Sequence, residues 1–195
     1  MNLALFDFDG TLTLKDSFLE FIKFSKGKIF YWTGLFLLSP ILVLFKLGLI
    51  KNWRAKELVM RFFFNKMKVN DFENLCNTFA KNVIPTILRP EAYEKLEEHL
   101  TNKNKVVIVT ASVENWINPW SDQFNIELIG TKLKVKDNLI TGEIEGKNCY
   151  GPEKVVRLKE KINLADYSEI FVYGDSKGDN ELFSLGTKKF YKVFK

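Results

Sequence analysis

The stretch LALFDFDGTLTL, residues 3–14, decides the fold of this chain. An apolar run ends in Asp7 and Asp9, which Gly10 and Thr11 follow, and such a bounded run predicts a short buried strand. Residues two apart at a strand end point to the same side, so the two carboxylates would share a small volume. Because two like charges that close are unfavourable without a cation, and the following backbone amides can hold an anion, the pattern indicates an ion-binding site.

Two further stretches repeat this design, at residues 105–110 (KVVIVT) and 169–174 (EIFVYG). Continuous apolar runs are typical of strands covered on both faces, and therefore of a parallel sheet surrounded by helices. We therefore predict an α/β fold. The other predicted elements are strands at 126–130 and 189–194, a rim β-hairpin at 132–144, and helices at 91–102, 114–123, 152–162 and 178–185.

The net charge of +5 is unevenly distributed along the 195 residues. Residues 23–61 carry eight basic residues against a single glutamate, Glu57. A nucleic-acid site would interleave such cations with exposed aromatic and polar groups. Here they are separated by apolar residues, so we expect no nucleic-acid partner.

The cysteines and the histidine exclude other kinds of site. Cys76 and Cys149 are far apart and lack CxxC spacing, so we expect reduced thiols in a cytoplasmic protein. The single histidine, His99, lies in an amphipathic helical stretch. We expect it at the surface, which argues against catalysis centred on histidine.

Residues 16–88 form a mostly helical insert between the first two predicted core strands, and they contain a long apolar segment. Residues 29–45 carry no charge and include Pro40. A single membrane crossing is rejected, because it would place Asp7 on the opposite side from the strands that must join it. Two alternatives remain: a helical hairpin buried in the insert, or a hairpin over residues 29–50 that dips into one leaflet, with lysines on anionic headgroups.

A second pair of acids, Asp175 and Asp179, follows the strand at 169–174. A calcium loop that begins with Asp7 as its first residue would have a glycine at its sixth position and a glutamate at its twelfth, and neither is present. Carboxylates at the ends of two strands instead suit Mg²⁺. The hydroxyl of Thr110 and the ammonium group of Lys154 would supply contacts to a phosphoryl group.

Together these motifs resemble the haloacid dehalogenase superfamily, in its phosphoserine-phosphatase-like branch. The four motifs, in order, are DFDGT at 7–11, VTAS at 109–112, Lys154 in GPEKVVRL, and GDSKGDNE at 174–181. The resemblance implies a Rossmann-like parallel sheet of about five strands, with a catalytic core at 1–15 and 89–195. It also implies that the insert at 16–88 is a helical cap over the site.

The resemblance further implies a Mg²⁺-dependent phosphatase with defined roles for its acids. Asp7 would attack phosphorus and form an aspartyl-phosphate, and Asp9 would act as general acid and base. Mg²⁺ would be held by Asp7, the backbone carbonyl of Asp9, and Asp175, while Asp179 would complete the metal site or orient Lys154. Phosphate-binding groups would come from Gly10, Thr110, Ala111 and Lys154.

The match to phosphoserine phosphatases loosens at the groups that recognise serine. Asp16 stands where they have a glutamate, Ala111 and Ser112 replace two glycines, and Gly178 replaces an asparagine. The long apolar segment and the basic KNWRAK stretch after it resemble instead the bacterial phosphatidylglycerophosphatases of the same branch. In that case Arg54 and Arg61 would contact lipid phosphates.

Three functional interpretations follow from these motifs. The first is a phosphomonoester hydrolase acting on a phospholipid headgroup or on a small soluble phosphate. The second is a catalytically idle adaptor for a membrane or protein, and its weakness is that the chain retains every motif acid. The third is a phosphotransferase, which shares the first half-reaction. For the lipid substrate we expect attachment to the cytoplasmic face of the membrane.

Overall fold

A computed structural model describes residues 1–194 as a six-stranded sheet with helices on both faces. The strand order is β4-β3-β2-β1-β5-β6, and β4 is antiparallel to its neighbour while the other pairs are parallel. The strands are β1 (Leu3–Phe6), β2 (Lys105–Val113), β3 (Glu127–Lys136), β4 (Leu139–Glu145), β5 (Ile170–Gly174) and β6 (Lys188–Tyr191). The predicted α/β class is confirmed. Strand β3 extends beyond the strand predicted at 126–130, and its second half pairs with β4 as the predicted hairpin.

The helices of the described chain fall into two groups. Those between β1 and β2 are α1 (Ser17–Lys26), α2 (Lys28–Leu37), α3 (Ser39–Lys46), α4 (Asn52–Phe64), α5 (Val69–Asn82), α6 (Ile84–Ile87) and α7 (Pro90–Thr101). Those that follow β2 are α8 (Glu114–Ser121), α9 (Pro152–Lys161) and α10 (Asn180–Leu185), with 3-10 turns at Asp122–Phe124, Leu164–Asp166 and Lys177–Asp179.

The central strand β1 is buried on both faces. Ala4 and Phe6 belong to one hydrophobic cluster, whereas Leu3 and Leu5 belong to a second cluster on the other face. Successive side chains of a strand point to opposite faces, so a strand between two helical layers must be apolar at every position. This is the physical reason for the uninterrupted LALF run.

The chain leaves the sheet after β1 and returns to almost the same point before α7. Thr13 forms an antiparallel bridge with Leu88, and the amide of Leu14 donates to the carbonyl of Ile87 at 2.8 Å. The helices α1 to α6 lie between these two crossings. The backbone therefore joins these helices to the sheet through two adjacent crossings, while α4 packs on β4 and α5 packs on α8.

Helices α2 and α3 leave most of their apolar surface exposed. Only Tyr31 and Gly34 of α2 are buried, and no residue of α3 is. A buried hairpin, the first sequence-based alternative, is therefore wrong for these helices. Within residues 1–194 no single helix is long and apolar enough to cross a bilayer; α2 and α3 reach that length and composition only together, across a 62° bend.

The surface position predicted for His99 is wrong. Its side chain is only 4 % exposed, and its Nε2 lies 2.9 Å from the hydroxyl of Tyr173 on β5. The ring of Phe171 packs edge-on against it with centroids 4.9 Å apart. Helix α7 therefore turns His99 towards the sheet, where it is a buried polar residue that does not line the cleft beside the acids.

Candidate active site

The acids of the first and last motifs meet at the carboxyl ends of β1 and β5. These strands are adjacent and parallel, so the residues that follow them emerge at the same edge. Carboxylate oxygens of Asp7, Asp175 and Asp179 all lie within 4.8 Å of one another. Asp7 and Asp179 are buried, and Asp175 is half-buried.

A single ammonium group connects two of these acids. Nζ of Lys154, in the first turn of α9, donates to Oδ1 of Asp7 and to Oδ1 of Asp179, both at 2.6 Å. Burial disfavours the charge on Lys154, but Asp7 and Asp179 outweigh it and raise the pKa of the ammonium group. Burial raises the pKa of Asp7 to about 7, although the charge of Lys154 opposes this shift.

The second oxygen of Asp179 holds the turn after β5. Oδ2 accepts from the backbone amides of Asp175 at 3.3 Å and Ser176 at 3.0 Å, and from the Ser176 hydroxyl at 2.9 Å. Both oxygens of Asp179 are therefore engaged by protein donors. Two roles were predicted for Asp179, to complete the metal site or to orient Lys154. The hydrogen bonds to both of its oxygens favour the orientation of Lys154.

The arrangement around Asp175 fits a divalent cation. Its Oδ1 is buried without a hydrogen-bond partner among residues 1–194, and burial together with Asp179 raises its pKa. Lys154 hydrogen-bonds to Asp7 and Asp179 but not to Asp175, so the three carboxylates outnumber the one ammonium group bonded to them and leave an excess of negative charge. Oxygen ligands with such an excess are the donor set that Mg²⁺ prefers, and Asp7 and Asp175 would provide them.

Gly10 borders the same space. Its φ is +82°, and a Cβ atom placed there would lie 2.5 Å from Oδ2 of Asp175. An L side chain would therefore both strain the backbone and collide with the acid. Glycine at position 10 is what allows β1 and the turn after β5 to approach so closely.

Asp9 is held by a different set of donors. The backbone amide of Ser17 donates to Oδ1 at 2.6 Å, and the Ser112 hydroxyl donates to Oδ2. Burial and the charge of Asp16 raise the pKa of Asp9 to about 6, against the hydrogen bonds from Ser112 and Ser17. The side chain of Asp9 is thus directed to the start of α1 and the end of β2.

These groups line a cleft of about 510 Å³ between the sheet edge and helices α1 to α4. Of the predicted residues, the cleft is lined by Asp7, Asp9, Asp16, Thr110, Ala111, Lys154 and Asp175. Asp16 also caps α1, accepting from the amide of Leu19 at 3.0 Å. Thr110 Oγ1 accepts from the amide of Ser112 at 3.0 Å.

Arg54 and Arg61 lie elsewhere. Arg54 pairs with Glu57 at 3.3 Å, Arg61 pairs with Glu143 of β4, and neither arginine lines the cleft. The basic residue of α4 that does line it is Lys56, whose Nζ donates to the carbonyl of Ala111 at 2.6 Å.

Sequence reasoning missed Lys56 and Ser112 as candidate site residues. Ser112 is part of the VTAS motif, but its role depends on the hydrogen bond from its hydroxyl to Asp9, which is 103 positions away in the chain. Lys56 was one of several cations in the insert, and the orientation of α4 decides which of them reaches the cleft.

The family model for haloacid dehalogenase-like hydrolases matches residues 4–184, which contain every motif of this cleft. The chain belongs to that family. The predicted membership of the haloacid dehalogenase superfamily and the predicted enzyme class, a phosphatase-type hydrolase, are confirmed, whereas the likeness of the insert to that of phosphatidylglycerophosphatases stays a prediction. The haloacid dehalogenase-like fold positions Asp7 and Asp175 in this chain by the β1–β5 pairing described above, and it places Lys154 in the first turn of α9.

Known proteins resemble this haloacid dehalogenase-like chain over nearly its whole length. Protein CicA of Caulobacter vibrioides is 35 % identical over 196 residues, covering 99 % of this chain and 86 % of CicA. A crystal structure of a Bordetella pertussis protein of unknown function superposes with a TM-score of 0.81 at 23 % identity, covering 96 % of this chain and 88 % of that one. The structure of a phosphoserine phosphatase with a phospho-aspartyl intermediate analogue superposes with a TM-score of 0.61 at 20 % identity, covering 96 % of this chain and 84 % of that one. The fold is therefore that of the phosphoserine phosphatases.

Proposed function

We propose that this chain is a Mg²⁺-dependent phosphomonoester hydrolase that works through an aspartyl-phosphate on Asp7. The observation that carries the proposal is the buried Lys154, bonded to Asp7 and Asp179, beside an oxygen of Asp175 that has no hydrogen-bond partner within residues 1–194. A nucleophilic carboxylate, an ammonium group and an excess of acid oxygens are the groups that phosphoryl transfer requires. The phospho-aspartyl analogue bound by the similar phosphoserine phosphatase supports the same chemistry here.

Asp7 and Asp175, with the backbone carbonyl of Asp9, would hold the metal. When bound, Mg²⁺ neutralises negative charge on the phosphoryl oxygens and on the surrounding carboxylates. Lys154 contributes positive charge at the same place, and the Thr110 hydroxyl and the amides of Gly10 and Ala111 would bind the remaining phosphoryl oxygens.

In the first half-reaction an oxygen of Asp7 forms a bond to phosphorus, and the bond from phosphorus to the leaving oxygen breaks. Asp9 donates the proton that the leaving oxygen needs. In the second half-reaction Asp9 removes a proton from water, which attacks the aspartyl-phosphate and releases inorganic phosphate. The Asp7 carboxylate and the protonated Asp9 are thereby restored, so the proton is balanced over the cycle.

Phosphate release from a panel of phosphomonoesters, with and without Mg²⁺, tests this proposal. We expect Mg²⁺-dependent turnover that Asp7→Asn abolishes, and acid quenching should trap phosphate on a peptide containing Asp7. Folded protein that is inactive on every substrate would instead favour the adaptor interpretation. Phosphate recovered on an added alcohol would identify a phosphotransferase.

We propose further that the substrate is amphiphilic, a phospholipid phosphate such as phosphatidylglycerophosphate. Apolar side chains of α2 and α3, namely Leu35, Leu42 and Phe45, form part of the wall of the cleft. A small polar phosphate ester would gain nothing from this wall, whereas an acyl chain or glycerol backbone would be desolvated against it. Soluble phosphates remain the alternative that the panel compares directly.

The apolar tip, which we define as residues 29–49, would bring the enzyme to an anionic bilayer. Ile29 is 84 % and Phe36 is 78 % exposed, and exposed apolar side chains concentrated in one segment favour an interaction site. The other exposed apolar residues of the tip are Phe30, Trp32, Leu37, Val43, Leu44, Phe45, Leu47 and Leu49.

The charge around the tip selects the partner. From Phe21 to Lys56 the chain contains seven basic residues and no acidic residue. A second copy docking through this surface would bring like charges together, whereas anionic headgroups would attract it. We therefore propose that residues 16–88 act as a cap that also docks on the cytoplasmic face of the membrane.

Vesicle sedimentation tests this docking. We expect binding to phosphatidylglycerol vesicles, weaker binding to phosphatidylcholine vesicles, and at least about a tenfold loss for Phe36→Asp, since burial of one large apolar side chain contributes about 1.5–3 kcal/mol. Val156→Asp on α9, where Val156 is also exposed, should bind like the wild type. Equal binding by both variants, or a dimer in sedimentation velocity that Phe36→Asp dissolves, would refute membrane docking.

A further inference from the structure

Ser112, at the end of β2, connects Asp9 to the first helix of the insert. The residue is buried, and its hydroxyl donates to Oδ2 of Asp9. The Ser17 hydroxyl lies 3.2 Å from Ser112 Oγ, and Nε1 of Trp116 lies 3.2 Å from Ser17 Oγ. Four side chains therefore form one continuous line of hydrogen bonds.

The chemistry of the groups determines the direction of this line. The indole Nε1–H of Trp116 is only a donor, and each serine hydroxyl has a single proton to donate. The Ser17 oxygen therefore accepts from Trp116, and its proton goes to Ser112 Oγ. The Ser112 proton then goes to Asp9, so that each proton in the line has one destination.

The same line joins two parts of the fold. Ser17 is the first residue of α1, and its backbone amide donates to Oδ1 of Asp9 at 2.6 Å. Ser112 and Trp116 belong to β2 and α8 of the sheet layer. Each oxygen of Asp9 is therefore held by a different layer, one by α1 and the other by β2.

Packing fixes α1 against the same tryptophan. The ring of Trp116 stacks on Phe21 with centroids 4.9 Å apart and on Phe18 at 5.8 Å. Trp116 is fully buried, so it provides a rigid base for the line. A change in the position of α1 would alter both hydrogen bonds to Asp9.

We propose that Ser112 is a positioning residue that, with Ser17, fixes the orientation of Asp9 and makes it depend on the seating of α1 against the sheet. The inference rests on the proposed function, in which Asp9 exchanges protons with the leaving group and with water. Ser112 itself does not contact the reacting atoms in this role. When the Ser112 hydroxyl is removed, Oδ2 of Asp9 loses the hydrogen bond that selects the rotamer of Asp9.

The test compares two leaving groups, because only one of them needs the proton of Asp9. Dioctanoyl phosphatidic acid releases an alkoxide that must be protonated, whereas p-nitrophenyl phosphate releases a stable phenolate. We expect Ser112→Ala to slow the pre-steady-state release of the diacylglycerol about a hundredfold and that of nitrophenol by less than about threefold. Substrate affinity should change little, and Ser112→Thr, which keeps a hydroxyl, should restore most of the rate.

Ser121→Ala is the matched control. Ser121 is also buried, and its hydroxyl donates to the carbonyl of Asn118 at 3.2 Å, within α8. We expect any loss of rate in this variant to be equal for the two substrates. Ser17→Ala keeps the backbone donor to Asp9 and should show the same leaving-group dependence more weakly, which provides a second variant if Ser112→Ala does not fold.

The outcomes separate the two proposals. An active wild type with equal losses on both substrates in Ser112→Ala and Ser17→Ala would overturn the positioning role and leave the proposed function intact. A folded wild type that cleaves neither substrate with Mg²⁺ would overturn the proposed function and this inference with it. A large loss confined to the phosphatidic acid would establish the positioning role.

Discussion

The ammonium nitrogen of Lys154 lies 2.6 Å from Oδ1 of Asp7, and both side chains are buried. The two residues are 147 positions apart in the chain, and the pair forms because β1 ends where α9 begins. A buried ion pair of this kind is strongly coupled to folding, since removal of one partner leaves the other charge without compensation.

Replacement of Lys154 by methionine should therefore destabilise the metal-free protein. We expect Lys154→Met to lower the free energy of unfolding by about 3–5 kcal/mol at neutral pH, because Asp7 and Asp179 lose their shared counter-charge. Lys159→Met, at an exposed position of the same helix, should change it by less than about 0.5 kcal/mol. Urea denaturation in the presence of a chelator measures both, and equal stability of the two variants would contradict the assigned role.

Mg²⁺ should stabilise the folded protein through Asp175. At a Mg²⁺ concentration a hundred times its dissociation constant, we expect the free energy of unfolding to rise by about 2.7 kcal/mol. Asp175→Asn should remove most of this gain, because the amide supplies no negative charge to the site. Glu160→Gln, at an exposed acid of α9, should respond to Mg²⁺ like the wild type. A Mg²⁺ response that survives in Asp175→Asn would place the ion elsewhere.

Gly10 provides a steric test of the same site. Gly10→Ala and Gly146→Ala both introduce a side chain at positive φ, but the new Cβ lies 2.5 Å from Asp175 Oδ2 in the first and meets nothing within 4 Å in the second. Each variant should lose about 1–2 kcal/mol from backbone strain. Only Gly10→Ala should also weaken Mg²⁺ binding, because Asp175 must move. Calorimetric titration with Mg²⁺ distinguishes the two, and unchanged affinity in Gly10→Ala would argue against Asp175 as a ligand.

His99 should make stability depend on pH. Its Nδ1 faces the amide nitrogen of Asn104 at 3.0 Å, a donor, so the folded state holds a neutral ring, and burial lowers the pKa of His99 from its ordinary value of 6.5. The unfolded chain therefore binds the proton more readily, and the contribution of His99 to stability falls as the pH drops below 6.5. Above that pH the contribution is fully present.

Comparison of the wild type with His99→Gln isolates this effect. Asp7 and Asp9 have raised pKa values and act in the opposite direction, favouring the folded state as the pH falls, but they are common to both proteins. We therefore expect the stability difference between wild type and His99→Gln to shrink as the pH is lowered from 7 to about 5. A difference independent of pH would mean that the buried ring can accept a proton without cost.

Much of the core and of the acid cluster could be predicted because each depends on local pattern. The apolar run at 3–6 must be a doubly covered strand, and parallel strands that end in Asp7 and Asp175 must present those acids at one edge. His99 was mispredicted because amphipathic periodicity places a residue on a helix face without specifying what covers that face. Tyr173 and Phe171, from a strand more than 70 positions away, decide its burial.

The amino-acid sequence by itself determined the α/β class and the order of the motifs, and it indicated the acids of the candidate site, because strand burial and strand-end carboxylates leave a short-range signature. Only the tertiary structure decided that Lys56, rather than Arg54 or Arg61, lines the cleft, that Ser112 holds Asp9, and that α2 and α3 expose their apolar surface. These relationships depend on how α1 to α4 sit on the sheet. That placement results from contacts between residues distant in the chain, and in a uniformly apolar segment no periodicity shows which side faces the protein.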